Sequence, residues 1–175
     1  MTFQKFLRGL QIALNLIWTR ALLGRDARGR RSSQRRLIAG QHRPPNATVI
    51  KVASGQSNSS FHFGDVFIVD DKVTSDQDPD TPEVGRLQGI VVFASTTTLE
   101  THLSATLVFS KGEWIGSSLS LLGIIKASEK VNEFAIVGGT RMFQFSRGYA
   151  KYAFVSSNTT SGVSTGALNI VIRNN

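Results

Sequence analysis

Two stretches of the chain carry side chains suited to proton chemistry. Asp70 and Asp71 close an apolar run that contains Phe61, Phe63, Val66, Phe67, Ile68 and Val69. In an extended chain successive side chains point to opposite faces, so one carboxyl is expected inward and the other outward. An inward carboxyl against an apolar wall loses hydration, its pKa rises, and it can exchange a proton with a bound ligand. A strand-ending Asx turn is the other use of such a pair. Arg147 is the third candidate: in strict alternation it shares a face with Phe143 and Phe145, where a guanidinium either pairs with a buried acid or meets a ligand. Those two rings, together with Phe109, are the expected substrate-contacting surface.

Other chemistries lack their residues. The chain has no cysteine, which removes disulfide frameworks, thiolate zinc sites and thiol nucleophiles together. His42, His62 and His102 stand in unrelated contexts with no carboxylate at ligand spacing, so no metal site is expected. Gly138-Gly139-Thr140 lacks the Lys-Ser/Thr of a phosphate loop, no serine triad can be nominated, and no flavin, haem or copper motif occurs. The expected cofactor complement is none.

The elements that must position these residues read as strands. The net charge of +8 over 175 residues sits at one end: residues 1–43 carry ten basic residues against one acid, Asp26, and the remainder carries ten against eleven. The body therefore offers no electrostatic footprint for a nucleic acid. Met1 to Gly24 alternates apolar residues with Gln11 and Asn15, which leaves a degraded secretory signal, a transit-like or membrane-surface helix and an untargeted extension all open. Arg25 to Arg43 has no hydrophobic periodicity and is expected to be disordered. The expected division is a basic extension over residues 1–43 and a β domain over 44–175. Strand patterns fall at Thr48 to Ala53, His62 to Asp70 (stopping at the two acids), Gly89 to Ser95, His102 to Ser110, Trp114 to Leu122, Tyr149 to Ser156 and Ala167 to Arg173, with a hairpin turning at Gly138-Gly139-Thr140. About eight short strands predict an antiparallel barrel or sandwich, and periodicity alone does not separate the two.

Four collinear motifs sharpen this. The run Ile136-Val137-Gly138-Gly139-Thr140-Arg141-Met142-Phe143 with its tail Ser146-Arg147-Gly148-Tyr149, the run Val69-Asp70-Asp71-Lys72-Val73-Thr74, the run Val84-Gly85-Arg86-Leu87-Gln88-Gly89, and the run Phe109-Ser110-Lys111-Gly112-Glu113-Trp114-Ile115-Gly116-Ser117 together resemble the plant dirigent family. The resemblance implies an eight-stranded antiparallel up-and-down β-barrel related to allene oxide cyclases, usually assembled as a trimer, with a dimer as the smaller homo-oligomer expected. It implies secretion to the apoplast. It implies a phenolic ligand such as coniferyl alcohol radicals, coupled stereoselectively while a separate laccase or peroxidase supplies the oxidation. It also points to Asp70, Asp71 and Arg147 as pocket residues. Two other readings stand beside that one: a member that closes or dehydrates a phenolic ring with these acids and Arg147, and a non-catalytic defence or cell-wall protein. Three departures from the family pattern give the last its basis: Arg36 near the place of a first-strand aspartate, Arg141 where glycine is usual, and Met142 in the next position. Sequons at Asn46, Asn58 and Asn158 fall in expected loops or strand edges and predict glycosylation of an extracellular protein.

Overall fold

The computed structural model describes residues 31–42, 45–55, 59–75 and 81–173. The leader reading, Asn58 and the centre of the acidic Thr74 to Glu83 loop lie outside them. The elements are β1 (Arg31–Gln41), β2 (Val49–Ala53), β3 (Val66–Thr74), β4 (Glu83–Phe93), β5 (Glu100–Phe109), β6 (Ser118–Lys126), β7 (Asn132–Thr140), a 3₁₀ turn at Arg141–Phe143, β8 (Arg147–Asn158) and β9 (Val163–Arg173). From β2 to β9 each strand pairs antiparallel with the next, β9 pairs with β1 along its length, and β1 returns to β3 through Leu37–Ala39 against Lys72–Thr74. That last pairing closes an eight-stranded barrel of β1 and β3 to β9. The ninth strand, β2, shares the same edge of β3 and lies against Val66–Val69.

Alternation decides which side chains enter the barrel. In β5, Thr101, Leu103, Ala105, Leu107 and Phe109 are buried while Ser104 is exposed, and in β9 Leu168, Ile170 and Ile172 point in. Leu107, Leu119, Leu121, Ile136, Ala150, Leu168 and Ile170 pack one half of the barrel solid. Each large apolar side chain buried this way contributes about 1.5–3 kcal/mol. Phe109, Trp114 and Phe143 stop that end as a three-ring cluster with centroids 5.1–5.5 Å apart. The Arg36 guanidinium caps them, 5.2 Å from the Trp114 ring.

Four expectations are corrected. The boundary between extension and barrel does not fall at residue 43: residues 31–41, expected to be disordered, form β1, because backbone pairing to β9 and β3 supplies the order that their polar sequence withholds. Strand β3 does not stop at the two acids but runs on to Thr74, each carboxyl having a partner on its own face. The turn expected at Gly138-Gly139-Thr140 comes later, at residues 141–146. Arg141 and Phe145 take the positive φ values of 52° and 63° there, whereas the glycines lie within β7 beside a register shift opposite Ser120 and Leu121. Trp114 sits in the loop before β6, which begins at Ser118.

Candidate active site

The other half of the barrel is hollow. Phe67, Val69, Val91, Phe93, Phe134 and Phe154 wall a cavity of about 130 Å³, where about 150 Å³ accommodates a benzene ring in a dry protein interior. Four polar side chains interrupt this wall: Asp71 from β3, Tyr152 from β8, Ser164 from β9, and His42 just beyond β1.

Asp71 follows Phe67 and Val69 on the inward row of β3, so its carboxyl enters the cavity. Burial pushes it up to about 7, the nearby Asp70 charge adds to the rise, and the hydrogen bond from Thr48 and the charge of Arg86 restrain it. Thr48 Oγ1 donates to Asp71 Oδ1 at 2.6 Å and accepts from the Gln41 amide at 2.7 Å. The Thr48 amide in turn donates to the Gln41 carbonyl at 2.7 Å, and its carbonyl accepts from the Asp70 amide at 2.8 Å. One threonine thus ties the end of β1, the start of β2 and the carboxyl together. Asp71 lies over Gly40 of β1, where a Cβ would stand 3.1 Å from either carboxyl oxygen.

Tyr152 approaches from the opposite side. Its ring stacks on Phe134 with centroids 5.9 Å apart, and it crosses Gly166 so closely that a Cβ there would be 2.3 Å from Cε2 and 2.7 Å from the hydroxyl oxygen. Burial, and then the charge of Asp71, push the phenol's pKa upward, which keeps it protonated. The surface it retains is cavity wall. Burial lowers the pKa of His42, so its imidazole is neutral at neutral pH, and its amide is held by the Gly162 carbonyl at 3.1 Å.

The other residues expected at the site lie elsewhere. Asp70 is on the outer face of β3, where Arg86 Nε donates to its Oδ1 at 2.6 Å and holds the carboxyl below its usual pKa. Arg147 is exposed at the packed end, with Nη1 donating to the Val137 carbonyl, and Phe145 is 80% exposed. Phe143 and Phe109 are buried, but in the cluster with Trp114 and away from the cavity. Strict alternation fails here because the 3₁₀ turn and the positive φ of Phe145 intervene before β8 begins at Arg147. Arg141 and Met142 are both exposed at that end, the former against Gly116. Asn46 and Asn158 are exposed, and the Asn158 side chain accepts from the Thr160 and Ser161 amides at 2.9 and 3.0 Å. His62 is 3.5 Å from Asp65, and His102 is on the outward row of β5. Among the described residues no cluster of three His, Asp or Glu side chains could hold a metal ion.

Sequence reasoning missed Tyr152, His42, Ser164 and Thr48. Alternation along Ala150, Tyr152 and Phe154 signals the first of these. Thr48 carries no such signal, since its role exists only after the β1–β2 corner forms.

The sequence pattern of the dirigent-like protein family matches residues 36–173. The chain is 39% identical over 119 residues to pterocarpan synthase 1 of Glycyrrhiza echinata, covering 67% of this chain and 63% of that protein. It is 37% identical over 127 residues to dirigent protein 21 of Arabidopsis thaliana, covering 71% and 67%. The chain thus spans about two thirds of the length of these curated relatives. The solved structure of the pterocarpan synthase dirigent protein GePTS1 superposes with a TM-score of 0.75 at 32% identity, covering 87% of this chain and 89% of that one.

Proposed function

The chain belongs to the dirigent-like family, and from that premise and the carboxyl that lines the cavity we propose that it closes a ring on a phenolic alcohol with loss of water, Asp71 acting as the acid. The observation that carries this reading is a carboxyl inside an aromatic-walled cavity, where burial raises its pKa to about 7 and leaves a substantial protonated fraction at neutral pH. The Asp71 proton passes to the leaving hydroxyl, the carbon–oxygen bond breaks with its electron pair, and water departs. A ring hydroxyl conjugated with that carbon feeds in its lone pair, so the cation is a protonated quinone methide. A second phenolic oxygen of the same molecule then adds to the carbon and returns its proton to the Asp71 carboxylate. One water is lost, nothing is oxidised, and the acid is regenerated. The apolar wall supports each step by excluding competing water. Similarity to a curated relative and to a solved structure that carry the name pterocarpan synthase supports the reaction class.

A second reading, stereoselective coupling of phenoxy radicals made by an external laccase or peroxidase, draws support from the wall itself. Phe67, Phe93, Phe134 and Phe154 can orient a flat radical by shape alone, and selectivity needs only about 1–3 kcal/mol between competing approaches. Purified protein is incubated with an isoflavanol-type alcohol without oxidant, and separately with coniferyl alcohol plus a one-electron oxidant, with products resolved on a chiral column. Ring-closed product in the first arm supports the ring-closing reading. No conversion there together with optically active dimer in the second replaces it with radical coupling, and racemic dimer with no conversion removes both. The extracellular setting is part of the same proposal and rests on the exposed sequons at Asn46 and Asn158. A mass shift on amidase deglycosylation of the plant-expressed protein is the expected result.

A further inference from the structure

Going round the barrel from β3 the strand order is β3, β1, β9, β8, so Asp71 and Tyr152 face each other across two intervening strands. Both of those strands present glycine at the crossing. Ile38 pairs with Gly166 and Gly40 with Ser164, which makes Gly40 and Gly166 diagonal neighbours on one inner face, roughly 7–8 Å apart. The Asp71 carboxyl lies over the first and the Tyr152 hydroxyl over the second. The two polar groups therefore line the cavity over the glycines of adjacent strands, each filling the space its glycine leaves, with aromatic surface from Phe134 beside Tyr152. A tyrosine hydroxyl both donates and accepts, so it can hold another hydroxyl whether that group is neutral or gaining positive character.

We infer that Tyr152 is the specificity-determining residue of the cavity, its hydroxyl bonding the ring hydroxyl of a 4-hydroxyaryl alcohol whose side-chain hydroxyl faces Asp71. Gly166 is the matching requirement, since a side chain there would push the Tyr152 ring into the cavity. The assignment rests on the ring-closing reading for the direction in which the ligand lies, but it concerns binding and can be tested without turnover. A buried site built to bond a hydroxyl rejects the analogue that lacks it, because its own polar group is then left unpaired.

The test titrates coniferyl alcohol and its phenolic O-methyl ether, without oxidant, into the wild-type protein and Tyr152→Phe, which keeps the ring, its stacking on Phe134 and its passage over Gly166. The wild type is expected to prefer the free phenol by about tenfold or more, and Tyr152→Phe to bind both within about twofold. Loss of discrimination is the readout, because a purely structural contribution from Tyr152 would weaken both ligands alike. Wild-type protein that binds the two equally or binds neither, or a variant that keeps the preference, overturns the assignment. Discrimination lost in the variant while the isoflavanol-type alcohol goes unconverted leaves the Tyr152 assignment standing and removes the reaction. Conversion with discrimination intact in the variant does the reverse.

Discussion

At Asp71 the burial that makes the carboxyl a useful acid also makes its ionised form a burden on the folded chain. Its pKa is about 7 in the barrel against an ordinary 3.8, so the folded state holds the proton more tightly than the unfolded one. The resulting stabilisation is complete below about pH 4 and is lost as pH rises through 7, at most about 4 kcal/mol by the linkage of proton binding to folding. Asp71→Asn is expected to flatten this slope, seen as a smaller fall in Tm between pH 4 and 8 than in the wild type. The same substitution is expected to lower kcat for ring closure about 100-fold or more, whereas Asp70→Asn, on the outer face, leaves kcat within a few-fold. Thr48→Val removes the hydrogen bond that restrains the carboxyl's rise. The midpoint of the kcat–pH profile, where activity falls as the acid ionises, is then expected to move upward, and a midpoint at or below the wild-type value would contradict the role given to Thr48.

Strand β1 shows where sequence patterns stop being informative. Asp71 was legible as one of two candidates because alternation is a local property, and its neighbours Phe67 and Val69 fix the parity of the whole strand. Residues 31–36 are polar, and only Leu37 and Ile38 look like strand core, so the order of β1 comes from β3, about 35 residues further along the chain, and from β9, more than a hundred residues further. Tyr152's inward parity is legible in Ala150 and Phe154, but its place at the cavity is not, because it depends on the space above Gly166 on another strand. Arg147 was misplaced by the converse error, in which alternation was carried across a turn whose left-handed residues are Arg141 and Phe145 rather than glycine. If β1 is integral to the barrel, Ile38→Ala is expected to cost about 2–5 kcal/mol in denaturant unfolding, the range for a buried aliphatic side chain. A change under about 0.5 kcal/mol would mean that the strand is dispensable.

Over the whole molecule, function divides along the barrel axis, with rings and aliphatic side chains filling one end and the polar-dotted cavity opening at the other. The outer wall carries a feature of its own: Ile50, Ile68 and Ile90 stand opposite one another across β2, β3 and β4, all exposed, with Leu122 and Ile124 exposed on β6. Apolar rows of this kind mark contact surfaces, and self-association through them is expected. Sedimentation of the wild type against the double variant Ile68→Asp, Ile90→Asp checks it, and a wild type that remains monomeric would refute it. The shared edge of β3 has a further consequence. Because β1 and β2 divide that edge, the pairs that zip the cylinder shut there among the described residues are those of Leu37–Ala39, and the fastener lies directly beside Asp71. Any fluctuation that unzips those few pairs would admit water to Asp71 and lower its proton affinity, so opening of the closing seam is expected to deprotonate the carboxyl.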